Sequence, residues 1–504
     1  MSARSPVPAW LTHQAPGRPD RSVAAGWGGR SAVMPGDVGF RPVLIYISMA
    51  LSLLGSSLVG IENGFGPLWL VINAGLQLLL ATWLLIRPGG ATAGALSAGV
   101  LSAFVLVVYG SWAPALAVGQ PFSPVVPGPV AKSALEYTTA AALAVAVGVV
   151  LTSSIYAAVR SPGFRVNHRP TVPPGQWWRG VLLMEAIGLC CFVAFKVSSH
   201  QPVISLAIFR PIPAGIAQDT SSTYQFLSAG IDVSIGAAIA ASALLGLKTY
   251  RLRTLALIAL NLFLYTTIGF KYRIVVTLIG VFGVRAATRP RKSGPAQRSQ
   301  RMKVVLAGVV VTTIAFFVVQ VYRGNHGSGR VVTASSFDVG HLEGIATSSI
   351  DIASPYAAIY QHHFGLLLGE SYLQLPRLLV PQAIVGHKGP PAMWSVIQAV
   401  TIPGTGAAVP LWAEADANFG LIGLLGFGAL LGWVVSRSDT ADRRRMETAA
   451  IAAATGAVLA SVLSRSLMFF ALYEFAAIVL PIWMLSRSRP MPGTRRPPEP
   501  RGRG

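Results

Sequence analysis

Two groups of side chains in this sequence could do chemistry. The first is a set of five cations, Lys271, Arg273, Arg323, Arg377 and Lys388. The planar guanidinium fork and the compact ammonium charge both suit phosphate oxygens. The second is Glu414 with Asn418 four residues on, a spacing that puts both on one face of a helix. Asp416 lies between them, so two carboxylates stand there as candidate acid or base. Among the cations, between Arg323 and Arg377, come the adjacent His362 and His363. A histidine there could take a proton near neutral pH or hydrogen-bond a loop backbone. Adjacent positions diverge on a helix and no His-Glu-x-x-His spacing accompanies them, so no metal site is expected, and no cofactor.

The elements that position these residues are set by composition. Of 504 residues, 53% are hydrophobic and 12% charged, which describes a polytopic membrane protein and excludes an ordinary soluble enzyme. Only helices and closed barrels satisfy every backbone group in hydrocarbon, and a crossing helix needs about 20 apolar residues. The sequence therefore predicts an all-α fold of about 12 transmembrane helices, near 43–60, 67–86, 93–112, 134–158, 180–197, 229–247, 254–270, 274–287, 304–322, 411–435, 447–464 and 467–485. The predicted organisation is a disordered N-terminal tail (1–42), a transmembrane bundle of about nine helices (43–322), a large loop (323–410), about three further helices (411–485) and a disordered basic tail (486–504). No cleavable signal peptide is expected, because about forty polar, Pro- and Gly-rich residues precede the first span.

The net charge of +22 would suggest nucleic acid in a soluble protein. Here the charge sits in short loops and both tails beside apolar spans, so it signals topology and no nucleic-acid partner is expected. Arg30 and Arg41, Arg87, the stretches Arg160 to Arg179, Lys248 to Arg253, Arg285 to Lys303 and Arg437 to Arg445, and the C-terminal tail all fall on one side. That side should be cytoplasmic, with both termini on it. The five cations named first fall on the opposite side, around the 323–410 loop. It is about ninety residues long, too long for a passive connector, and should form an extracytoplasmic subdomain of short helices.

Each cluster has two readings. Lys271 and Arg273, in GFKYRIVVTLIG, are either interfacial anchors helped by Tyr272 or a diphosphate site. Arg323, in VYRGNHGSGR, is either a helix-end charge or a ligand contact. The glycines after Asn418, including Gly428 and Gly432, read as close helix packing. Glu136, Glu185, Asp232, Arg465 and Glu474 fall in or near spans and must pair, Arg465 with Glu474 either structurally or catalytically.

From about residue 255 to 435 the chain resembles the bacterial oligosaccharide repeat-unit polymerases of the O-antigen polymerase type. Arg273 in GFKYRIV matches that family's Arg at the outer start of a helix. LPRLLVP followed by HKGPP, with Arg377 and Lys388, is similar to its Pro-Arg stretch followed by Lys-Pro, although a Gly follows Lys388 here. EADANFGLIG, from Glu414 to Gly423, is similar to its Glu-x-x-x-Asn-Phe-Gly-x-x-Gly motif, with Ala413 where the family commonly has Gly.

The resemblance implies a GT-C-like glycosyltransferase in a bacterial cytoplasmic membrane, working on the outer face with a polyprenyl-diphosphate-linked oligosaccharide. Arg273, Arg323 and Arg377 would stabilise the leaving diphosphate, helped by Lys271 and Lys388, because charge that develops in the transition state is where fixed cations contribute most. Glu414 or one of the loop histidines would be the base, and His362, His363 and Asn418 substrate contacts. Membrane lipid, a flippase and a chain-length regulator are the partners it suggests. The alternatives are an O-antigen-ligase-type transferase and a transporter of lipid-linked glycans, the latter expected to carry broken helices and polar groups near the midplane.

Overall fold

The structure, a computed structural model, describes residues 40–87, 96–118, 126–159, 172–198, 223–268, 271–288, 352–380, 386, 391–402, 408–441 and 445–487. The expected span 304–322, Arg323, His387 and Lys388 lie outside the described residues, as do most of both expected tails and the side chains of Lys271 and Arg465. The chain divides into two units, Met1–Ile47 and Ser48–Gly504.

Every regular element among the described residues is helical. The membrane-length helices are α1 (Phe40–Glu62), α2 (Pro67–Ile86), α3 (Ala98–Val107) running on into α4 (Ala113–Val118), α5 (Lys132–Val159), α6 (Pro174–Ser198) and α7 (Thr223–Ser242). Then follow α8 (Lys248–Thr266) and α9 (Lys271–Thr288). The described part of the long loop forms the short helices α10 (Ala353–Gln361), α11 (Glu370–Leu373), α12 (Leu375–Leu379) and α13 (Ala392–Val400). The chain ends in α14 (Leu411–Asp439), α15 (Met446–Arg465), α16 (Met468–Glu474) and α17 (Leu480–Arg487). Among the described residues, 9 helices are long and apolar enough to cross a membrane, making this a multi-pass membrane protein. The expected spans 254–270, as far as Thr266, and 274–287 are also helical, but Lys248, Arg251 and Arg253 open α8, and Arg273 and Arg285 interrupt α9.

Among the described residues two π-bulges interrupt the helices, at Val108–Trp112 and Phe475–Val479. Each comes just before a proline, Pro114 or Pro481. A proline ring crowds the carbonyl four residues back and supplies no N–H, and the wider π turn relieves both defects. The bulge carries the third rod past its expected end at 112 as far as Val118.

Helices α5 and α14 pack closely through glycines. A Cβ on Gly432 would stand 2.6 Å from the Val149 carbonyl oxygen, and one on Gly428 would stand 3.1 Å from the Gly148 Cα. Small residues allow this approach where lipid gives helices no hydrophobic drive to associate. Buried polar side chains tie the neighbouring helices: Trp69 Nε1 donates to Thr139 Oγ1 and Trp83 Nε1 to Ser153 Oγ, each at 3.0 Å. At another corner Phe65, Trp69, Ala113, Leu135, Ala353 and Ala357 form an apolar cluster that seats loop helix α10 on α5.

Arg87 is a departure from the sequence reading, which counts it as a loop charge. It is buried, its Nη1 lies 2.6 Å from Asp439 Oδ2, and its Nη2 donates to Ser97 Oγ at 3.0 Å. The Gly99 N–H also donates to Asp439 Oδ2, at 3.2 Å. Removing one partner of such a pair strands the other in low dielectric, at about 3 kcal/mol or more. Arg87→Ala and Asp439→Ala should each lower the unfolding midpoint in detergent, and the double variant should lose less than the sum. Strictly additive losses would contradict the coupling. Gly432→Val should cost about 3 kcal/mol by overpacking, read in the same assay.

Candidate functional site

The sequence reading takes 411–435 as one continuous span, and the structure corrects it. Gly420 has φ 58° and ψ −140°, a conformation open to glycine and strained for any residue with a Cβ. The chain bends so sharply there that a Cβ on Gly423 would stand 2.8 Å from the carbonyl carbon of Ala415. In a straight helix those two positions are about 12 Å apart. Leu411–Phe419 is therefore a short arm, while Leu421–Asp439 is about 28 Å long, enough to cross a hydrocarbon core by itself. The Ala417 carbonyl at the bend accepts from the Leu367 N–H at 2.9 Å.

The arm carries Glu414, Asp416 and Asn418, all buried, and each is committed differently. Glu414 Oε1 accepts from Ser371 Oγ at 2.7 Å and Oε2 from the Met468 N–H at 2.6 Å. Asn418 Nδ2 donates to Ser371 Oγ and to the Glu414 carbonyl, both at 2.7 Å. Met468 opens α16, whose first N–H groups have no partner within the helix. Glu414 thus caps α16 from another helix and places its charge at the positive end of the dipole. Burial and the Glu414 charge together push the Tyr372 phenol above its usual range.

Asp416 does different work. Its two oxygens accept from Tyr137 on α5 at 2.7 Å and from Tyr356 on α10 at 2.8 Å. Burial, then the Asp416 charge, push the Tyr356 phenol far up, so it stays a donor. Tyr137 in turn stacks on Tyr360, centroids 3.8 Å apart. Asp416 is a clamp between arm, bundle and loop, whereas Glu414 ties the arm to Ser371 and to the start of α16.

Arg273 stands inside the protein. It is 0% exposed, its Nε donates to Asp232 Oδ1 at 2.6 Å, and its Nη2 donates to the Ser228 carbonyl and hydroxyl at 2.8 and 2.7 Å. Tyr272 donates to the other Asp232 oxygen at 2.8 Å. Arg377 is exposed at the end of α12. His362 and His363 are exposed where α10 ends, His363 with φ 50°.

Three of these clusters converge on α16, an element that sequence reasoning passed over as the start of a span. Its first N–H meets Glu414. Its Tyr473 hydroxyl donates to the Leu378 and Leu379 carbonyls beside Arg377, at 3.2 and 3.3 Å. Phe226, two residues before Ser228, packs edge-on against Tyr473 at 5.5 Å. Glu474 lies within electrostatic reach of Asp232 and Arg273 and hydrogen-bonds Ser461. Ser371 was also missed, and its one sequence signal is a hydroxyl next to Glu370 in GESYL. Lys196, likewise unforeseen, is buried with its Nζ on the Thr267 carbonyl, just before α9.

Asp416→Ala should destabilise the protein by about 3 kcal/mol, because the buried Tyr356 phenol and the half-buried Tyr137 phenol lose their acceptor at once. Tyr356→Phe should cost about 1 kcal/mol. Equal, small losses in thermal unfolding would show that Asp416 is no clamp. Ser371→Ala and Asn418→Ala should be non-additive by about 1 kcal/mol, and independent losses would sink the shared Glu414–Ser371–Asn418 unit. No family model, no curated protein and no solved structure matches the chain.

Proposed function

We propose that the chain is a glycosyltransferase of the cytoplasmic membrane, crossing it about 12 times with a GT-C-like fold, that polymerises polyprenyl-diphosphate-linked repeat units on the outer face. One observation carries the reading. The segments that hold the family resemblance, around Arg273, Arg377 and Glu414, are far apart in sequence yet all make contact with or lie beside α16. An acceptor sugar hydroxyl attacks the anomeric carbon, the bond from that carbon to the diphosphate oxygen breaks, and the lipid diphosphate leaves with the bonding pair. Glu414 takes the hydroxyl proton, or one of the loop histidines does.

The geometry divides the cations. Arg377, exposed beside Tyr473, is the described cation that a diphosphate reaches from outside. Arg273, held by Asp232 and Ser228, keeps α7 and α9 in register and lends the site a compensated charge. A second reading, transport of the lipid-linked glycan, is favoured by the broken helix at Gly420 and by the buried Glu185, whose Oε2 accepts from Asn261 at 2.9 Å.

The test is the size distribution of surface and lipid-linked glycan in cells lacking the protein, complemented with wild type, Arg377→Ala or Glu414→Gln. Long chains should vanish, a single lipid-linked repeat should persist, and neither variant should restore length. Unattached long polymer would indicate a ligase. Repeats trapped on the inner face would indicate a transporter, and an unchanged profile would contradict all three. With a carboxylate or imidazole base, the initial rate should fall as the medium is acidified, since the protonated base cannot accept the hydroxyl proton. A rate indifferent to pH would remove both candidates.

A further inference from the structure

At the far end of the long half of α14, away from the Glu414 arm, a cleft of about 400 Å³ opens between α14, α15 and α17. Its walls hold two copies of one pattern. Trp433-Val-Val-Ser-Arg437 closes α14 and Trp483-Met-Leu-Ser-Arg487 closes α17. The four-residue spacing lays each Arg over its Trp: Arg437 Cζ is 5.6 Å and Arg487 Cζ 3.9 Å from the ring centroid. Both guanidiniums are exposed, and neither has an ion-pair partner among the described residues. Arg445 also lines the cleft.

The acid in the wall is Glu447, which is buried and has Oε1 occupied by the Val172 N–H at 2.7 Å. Among the described residues lining the cleft, the exposed Arg437 and Arg487 leave it positive against that one carboxylate. Trp and Arg at helix ends are ordinarily interfacial anchors, and anchors alone have no reason to converge on one concavity. A guanidinium stacked on an indole is held in place with its fork of donors turned outward, which is pre-organisation for a phosphate. The volume falls in the range of small-ligand sites, and basic pockets between membrane helices hold anionic headgroups.

We propose that this cleft binds a phosphate group, presented by an anionic lipid headgroup or by a soluble phosphate. The site is separate from the reaction proposed above and does not depend on it. The experiment is native mass spectrometry of the purified full chain in neutral detergent. The probes are phosphatidylglycerol, diacylglycerol with the same tails as the phosphate-free control, and inorganic phosphate. Phosphatidylglycerol should bind about tenfold tighter than diacylglycerol. R437Q/R487Q should erase the preference and R437K/R487K should retain part of it.

Displacement of the lipid by millimolar inorganic phosphate would assign the site to a soluble phosphate, and resistance to displacement would assign it to the headgroup. Equal binding of the two lipids, or an undiminished preference in R437Q/R487Q, would overturn the proposal. If the double Gln variant fails to fold, the wild-type preference together with R487Q alone decides the matter by the same criteria.

Discussion

A carboxylate inside an apolar helical bundle needs donors, and the way Glu414 obtains them organises much of what surrounds it. Neither donor to its side chain comes from its own helix. The break at Gly420 swings the arm so that one oxygen meets the opening N–H of α16 and the other meets Ser371. The bend exposes backbone in its turn, and the loop answers with the Leu367 N–H on the Ala417 carbonyl. A single glycine conformation thus fixes the arm, the loop and α16 relative to one another.

Two buried ion pairs secure other parts of the bundle by the same logic. Arg87 with Asp439 joins the end of α2 to the end of α14 and adds the Gly99 N–H. Arg273 with Asp232 joins α9 to α7 and adds Tyr272 and Ser228. Neither pair is strong evidence of stability, since desolvation offsets much of the attraction. Each does specify register, because breaking it leaves a charge where hydrocarbon offers no solvation.

The helices were legible because apolar length is a direct demand of the bilayer: α2, α5, α15 and the paired rods α16 and α17 fall close to their expected bounds. The packing role of Gly428 and Gly432 was legible for the same reason. The bend was not, since a run from Leu411 to Asp439 has the composition of one long span and only the φ of Gly420 reveals two. Sequence also grouped Glu414 with Asp416 as candidate acids, and could not foresee that two tyrosines from distant helices would claim Asp416. Arg273 read as an outer-turn charge because its partner Asp232 lies 41 residues earlier, beyond any local pattern. The Trp-x-x-Ser-Arg repeat was in plain view, yet it gains meaning only when both copies face one cleft.

The most direct measurement of the central claim is reconstitution of the purified protein in proteoliposomes with a synthetic lipid-diphosphate-linked repeat unit, counting polyprenyl diphosphate released against glycosidic bonds formed. The account predicts one diphosphate per new linkage, lost in Glu414→Gln while the arm's fold persists. Movement of the glycan across the bilayer with no diphosphate released would contradict it, and full turnover in Glu414→Gln would move the base role to a loop histidine.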